Sequence, residues 1–329
     1  DILGPDFCAR EIFLGSDPEG EGEAVASLVR YGSPVPGRLS VLWVHGMTDY
    51  FFHAHVAQAV AEAGFNFYAL DLRKCGRSRR EGQTWHYSTD FRHYFPELTA
   101  ALDIIDGPVV PVAHSTGGLI VPLWAAHLRR NDSERHARLA GLILNSPWLE
   151  LQIHPPMRNG LHIAARRLAQ LRPRAALVGV AKTDAYYRSL AEGWAGSGLP
   201  RPSIFDDNLE DPAHTGWPLH PEWKRPFSYP APAAWVATIL DGQELVEREV
   251  HLACPVLAMT STRFGSEEEW DEHIFDSDVV LDAALMTQRA AGLSDSVTIA
   301  RFPGKHDLLL SDPPVRQSIY ETISRWLRF

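Results

Sequence analysis

A serine hydroxyl becomes a useful nucleophile only when it is held clear of the chain and beside a base. One segment is built that way: Val109-Val110-Pro111-Val112-Ala113-His114-Ser115-Thr116-Gly117-Gly118. An apolar strand-like run leads into one nucleophilic side chain, then small residues, then a helical stretch. A tight strand-to-helix turn leaves little room two residues either side, which is why nucleophile elbows read G-x-S-x-G. Ala113 stands at the first small position, a departure the steric argument tolerates, and Gly117 keeps the second. A helix opening at Thr116 would aim its N-terminal amides at Ser115 and favour negative charge there. Serine also N-caps ordinary helices, so the reading depends on finding the other catalytic parts in the right order.

A base is expected from His306, in Phe302-Pro303-Gly304-Lys305-His306-Asp307. Of the fifteen histidines, it alone combines a loop after the final predicted strand with a place late in the chain. The acid that orients it is expected after the preceding strand. That loop holds Glu267, Glu268, Glu269, Asp271, Glu272, Asp276, Asp278 and Asp282. Asp278 is preferred because it precedes an apolar pair, Val279-Val280, that opens a helix. Asp276 is the alternative, and Glu150 a third. The order Ser115, Asp278, His306 is that of a hydrolase triad. Two amides should bind the oxyanion: Thr116, after the nucleophile, and Met47, where Gly46 lets the turn pass close to substrate.

These residues need a scaffold. Strand-like runs at 8–14 and 24–31 form a hairpin around the acidic, Gly-rich turn 16–22. Strands are then predicted at 39–45, 66–71, 108–114, 139–146, 255–260 and 296–302. Helices are predicted at 54–63, 90–105, 116–130, 279–291 and 315–327. Strand–helix alternation implies an α/β protein with a parallel sheet wrapped by helices. After Glu150 the composition changes: eight prolines fall between Pro200 and Pro232, and four tryptophans between Trp194 and Trp235. Proline cannot donate to a ladder. Residues 151–250 are therefore expected to be an inserted cap, helical at 161–170 and then irregular. The core would be 1–150 plus 251–329.

Together, His45-Gly46, Asp71-Leu72-Arg73…Gly76-Arg77-Ser78, Ala113-His114-Ser115-Thr116-Gly117-Gly118, Asn145-Ser146-Pro147, Asp278-Val279-Val280 and His306-Asp307 resemble the α/β-hydrolase superfamily. Within it they are similar to the branch of monoacylglycerol lipases, lysophospholipases and S33-type serine hydrolases. The resemblance covers the core well and the cap poorly. It implies an eight-stranded sheet, the Ser–Asp–His triad, and neither metal nor organic cofactor. It also implies that the Asp71–Ser78 segment is mainly structural.

His53 and His55, two residues apart, would point to different sides of a helix, so no metal pair is expected. No GxGxxG, P-loop or HExxH is present. Cys75 lies among Arg73, Lys74, Arg77, Arg79 and Arg80, but without a base beside it we read it as incidental. Gly46, His114, Tyr187, Trp217 and Trp223 are the expected substrate-lining residues, with Tyr186 a further candidate. One of the two tryptophans in particular is expected to touch substrate.

The net charge of −10 argues against a nucleic-acid partner, and no segment suits integral membrane association. Three scattered cysteines and no visible signal peptide suggest a cytoplasmic setting. A homo-oligomer is left open. The expected activity is cleavage of a carboxylic ester of a small apolar molecule: a monoacylglycerol-like ester, an aryl ester or a lactone. An S33-type peptidase or amidase and a non-catalytic binding protein on the same fold are the competing readings.

Overall fold

The computed structural model describes residues 1–178, 184–266 and 270–328. Eight strands make one sheet: β1 (Phe7–Ser16), β2 (Glu23–Tyr31), β3 (Ser40–Val44), β4 (Asn66–Asp71), β5 (Val109–His114), β6 (Leu142–Asn145), β7 (Val256–Ser261) and β8 (Val297–Phe302). Their spatial order is β1-β2-β4-β3-β5-β6-β7-β8. The β1–β2 and β2–β4 pairings are antiparallel, and all others are parallel. Parallel strands need crossovers, here supplied by α1 (Ala54–Glu62), α2 (Phe95–Ile104), α3 (Gly117–Asn131), α4 (Pro155–Leu171), α5 (Ala185–Ala191), α6 (Ala233–Glu249) and α7 (Ala283–Ala290), with α8 (Pro313–Trp326) closing the chain.

The central strands are apolar on both faces because both are covered. In β3, Val41 and Trp43 join a core with Val56, Val60, Ile319 and Ile323 of α1 and α8. Leu42 and Val44 point the other way, into a larger core with residues of α2, α3 and α6.

Two differences from the sequence reading have local causes. The helix expected at 279–291 begins only at Ala283. The Asp278 and Asp282 carboxylates accept the amides of Val280, Leu281, Ala284 and Leu285, so the chain turns before it coils. The stretch after residue 170, expected to be irregular, contains the seventeen-residue α6. This helix packs between α3 and α4. Residues 233–240 are all buried, leaving no amphipathic stripe to read. At Gly242 a Cβ would stand 3.2 Å from Leu123, so the missing side chain lets α6 and α3 approach.

The segment between β6 and β7 adds nothing to the eight-stranded sheet; its own strand pair joins Ala176–Val178 to Ala231–Pro232. It is bolted to the core by Asp211 and Arg316, a buried bidentate pair with contacts of 3.1 and 2.5 Å. Removing one member of such a pair strands the other without water. Asp211→Ala should cost about 3 kcal/mol of unfolding free energy in urea titrations; a loss below about 1 kcal/mol would contradict the burial argument.

A second tie is made by Glu21, in the β1–β2 turn. Its carboxylate meets Lys74 at 2.9 Å and Thr84 at 2.7 Å, and also pairs with Arg174. Burial alone would raise its pKa, but hydrogen bonds from Thr84, Lys74 and Arg174 outweigh that and hold it at about 2, below the ordinary 4.5. The unfolded chain takes up this proton first, so stability present above pH 4.5 is lost as pH falls through about 2. Glu21→Gln should flatten the acid limb of a Tm-versus-pH curve. A limb identical to wild type would exclude Glu21 as a source.

Candidate active site

Ser115 sits where β5 gives way to α3, with φ +52°, a left-handed conformation costly for a side-chain-bearing residue. The turn is held in place on several sides. Ser115 N–H donates to Asn145 O at 3.1 Å, while Ser115 O accepts from the amides of Gly118 and Trp148, each at 2.9 Å. Glycine is obligatory twice here. A Cβ on Gly117 would lie 2.6 Å from His45 O, and one on Gly118 would lie 2.5 Å from Pro147 Cβ. Ala113 is fully buried and pairs with Val44 and Leu144.

His306 Nε2 lies 3.0 Å from Ser115 Oγ, and its Nδ1 lies 2.9 Å from Asp278 Oδ2. A carboxylate only accepts, so Nδ1–H donates to Asp278 and Nε2 is left bare toward the serine hydroxyl. Asp278 is buried, and its other oxygen accepts the amides of Val280 (2.9 Å) and Leu281 (2.7 Å), which fixes its rotamer. Of the alternative acids, Asp276 is paired with Arg263 and His273 on the surface. Glu150 is taken by Arg158 and Arg289. Glu267, Glu268 and Glu269 lie outside the described residues.

Met47 and Thr116 both line the cavity above Ser115. Neither amide donates to another group among the described residues. The Met47 turn is pinned by His45, whose Nδ1–H donates to Gly46 O (2.7 Å) and whose Nε2 accepts Leu72 N–H (2.9 Å). Gly46 passes so close that a Cβ would touch Ser115 Cβ at 3.0 Å.

His114 also reaches the cavity. Burial pushes its pKa down to about 4, so it is a neutral imidazole at pH 7, donating Nδ1–H to Asn145 O at 3.1 Å. His53 and His55 bond to separate acceptors, Asp307 Oδ2 at 2.8 Å and Leu309 O at 2.9 Å, with their ring centroids 6.0 Å apart. No cluster of three metal-ligating side chains occurs among the described residues. Burial, then Asp71 and Asp49, push the Cys75 thiol up rather than down, despite its basic neighbours. Asp71 serves structure: its carboxylate takes the Phe51 amide at 2.7 Å and Arg77 Nη1 at 2.9 Å.

The cavity is about 340 Å³, with walls that include Trp148, Leu151, Tyr187, Phe227, Val280 and Leu281. Tyr187 is where the sequence reading expected it. Trp217 and Trp223 are not, which corrects that expectation. Trp217 is buried with Tyr50, Phe52, Leu190 and Leu310, its ring 4.5 Å from that of His55. Trp223 stacks on His220 at 4.1 Å and meets Tyr50 edge-on. Both pack the β6–β7 segment onto the core. Their pattern carries no sign of which side of the wall they face. Trp148, which does line the cavity, was not singled out from sequence. Trp148 follows the Asn145-Ser146-Pro147 turn, and its amide holds Ser115 O, so its place beside the elbow was the available signal.

The sequence pattern of the family described as "Serine aminopeptidase, S33" matches residues 36–195. That match includes Ser115 and ends before Asp278 and His306. Phospholipase YtpA of Bacillus subtilis (strain 168) is 27% identical over 137 residues, 40% of this chain and 49% of that protein. The chain thus spans about half the length of this curated relative. Among solved structures, a soluble variant of monoglyceride lipase from Saccharomyces cerevisiae superposes with a TM-score of 0.65 at 15% identity, over 98% of this chain and 96% of that one. A thermostable carboxyl esterase from Bacillus coagulans gives 0.61 at 17%, over 97% and 98%. The monoacylglycerol lipase of Paleococcus ferrophilus gives 0.59 at 20%, over 91% and 98%. With this sheet order and these likenesses, the chain has the α/β-hydrolase fold.

Proposed function

We propose that the chain is a serine hydrolase that cleaves a carboxylic ester of a small apolar substrate. Ser115, His306 and Asp278 are its triad, and the Met47 and Thr116 amides its oxyanion hole. Residues 151–250 act as a cap over it. The observation that carries this reading is the position of His306, between Ser115 Oγ at 3.0 Å and Asp278 Oδ2 at 2.9 Å.

Ser115 Oγ attacks the carbonyl carbon as His306 Nε2 takes its proton, and the charge left on the carbonyl oxygen faces the two free amides. Collapse breaks the ester C–O bond, and His306 returns its proton to the departing alkoxide. Water then attacks the acyl-serine with His306 again as base, releasing the acid and restoring Ser115. Asp278 stabilises the imidazolium that forms twice in the cycle.

The mostly apolar walls favour acyl and aryl groups over charged ones. This is consistent with lipase and esterase relatives, and monoacylglycerol-like esters, aryl esters and lactones form the substrate range to screen. A second reading rests on Asp184, a cavity-lining carboxylate with no side-chain hydrogen bond or salt bridge among the described residues. It could hold the free amino group of an aminopeptidase substrate. Rates on p-nitrophenyl esters and aminoacyl p-nitroanilides decide between them. The ester reading expects esters to dominate whether or not an amino group is present. Faster anilide cleavage that disappears in Asp184→Asn would replace it with the peptidase.

A further inference from the structure

The residues on either side of His306 are both held by α5, a helix of the β6–β7 segment rather than of the sheet core. Before it, the Lys305 side chain is fully buried, and its Nζ donates to Ser189 O at 2.8 Å. After it, the Asp307 amide donates to the Tyr186 hydroxyl at 3.1 Å. The Tyr186 ring also stands edge-on to the His306 ring, centroids 5.9 Å apart and planes at 72°. The core holds the same loop at other points: the Asp307 carboxylate through His53 and Asn145, each at 2.8 Å, the Lys305 amide through Ser311 Oγ at 3.0 Å, and Gly304 O through Ser261 Oγ at 2.8 Å. The amide just after His306, that of Asp307, is the one whose acceptor lies on α5. A buried N–H deprived of its acceptor is unfavourable enough to move a loop.

The other half of the site leans on the same segment. The turn bearing Met47 continues into Thr48 and Asp49. Thr48 Oγ1 lies 2.7 Å from Ser228 Oγ, and the buried Asp49 carboxylate pairs with Lys224 Nζ at 2.8 Å. Phe227 and Ser228 both have positive φ, 59° and 54°, so this stretch is held in an unfavourable conformation by its surroundings. Seated, the β6–β7 segment touches both the base and the oxyanion turn.

We propose that Tyr186 is a positioning residue for His306, acting through the Asp307 amide, so that seating of α5 and alignment of His306 on Ser115 are one event. The proposal rests on the hydrolase reading above and adds to it a role for the cap beyond walling the pocket. A substrate that enters but displaces α5 would bind without being turned over.

Tyr186→Phe is the test, because it keeps the ring and deletes only the acceptor. The expected result is a kcat lowered about tenfold with KM within about twofold. Fluorophosphonate labelling of Ser115 should slow by a similar factor. The low-field Nδ1–H proton resonance of His306 should shift or broaden. Leu151→Ala, a wall change, should instead raise KM. If Tyr186→Phe proves too unstable to measure, Lys305→Met removes the Ser189 contact from the other flank and should give the same three effects. Full kcat, full labelling rate and an unaltered resonance in a folded variant would overturn the proposal. A wild-type protein that neither labels nor turns over esters would instead sink the hydrolase reading, and the resonance would still report whether Tyr186 governs His306.

Discussion

Ser115→Ala is expected to abolish ester turnover, by about 10⁵- to 10⁶-fold in kcat, while leaving the protein folded. The two halves of that expectation have separate causes. Catalysis loses the only atom that attacks, since Oγ is what faces His306 Nε2. The fold loses almost nothing, because the elbow is held by the backbone bonds of Ser115, not by its side chain. The Cβ that already tolerates φ +52° stays in place. Tm should therefore stay within about 3 °C, and fluorophosphonate labelling should vanish. Residual turnover above about 1% of wild type would mean that another group attacks the carbonyl.

The second large effect is expected at Asp278. Asp278→Asn should lower kcat by about 10⁴-fold with little change in KM. An amide at this position presents N–H to His306 Nδ1, which favours the tautomer with its proton on Nε2, and that nitrogen then cannot accept from Ser115. The carboxylate's other partners, the Val280 and Leu281 amides, remain served by the amide oxygen. The variant should thus keep its fold and its pocket. Asp276→Asn, in a surface cluster with Arg263 and His273, should stay within about twofold of wild type. If the two variants exchanged effects, the acid would have been assigned to the wrong loop position.

How far the sequence could be read depended on whether neighbours or distant packing determine each part. The strands were legible because burial on both faces makes them unbroken apolar runs, as in β3 and β5. Ser115 and His306 could be named because chemistry concentrates at the ends of such strands. The choice among Asp278, Asp276 and Glu150 leaned to Asp278 for its place before Val279-Val280, but its physical basis was not legible in the sequence. It turns on which carboxylate has spare oxygens, and Glu150 is saturated by two arginines some distance away in the chain. Helix α6 was hidden because its first turns are buried all round, erasing the periodicity that marks surface helices. Trp217 and Trp223 were misplaced because an aromatic suits a pocket wall and a packing seam equally well. Tyr186 was rated only a pocket candidate, since its bond to the Asp307 amide spans 121 residues.

The tryptophan displaced from the pocket has an optical consequence. Trp217 is sealed in the seam between the β6–β7 segment and the core, with Leu190 of α5 on one side and Leu310 on the other. An indole there emits in the blue while the seam is shut and shifts toward the red when water reaches it. In a variant that keeps only this one of the ten tryptophans, the emission colour would read whether α5 is seated, from a position outside the cavity lining.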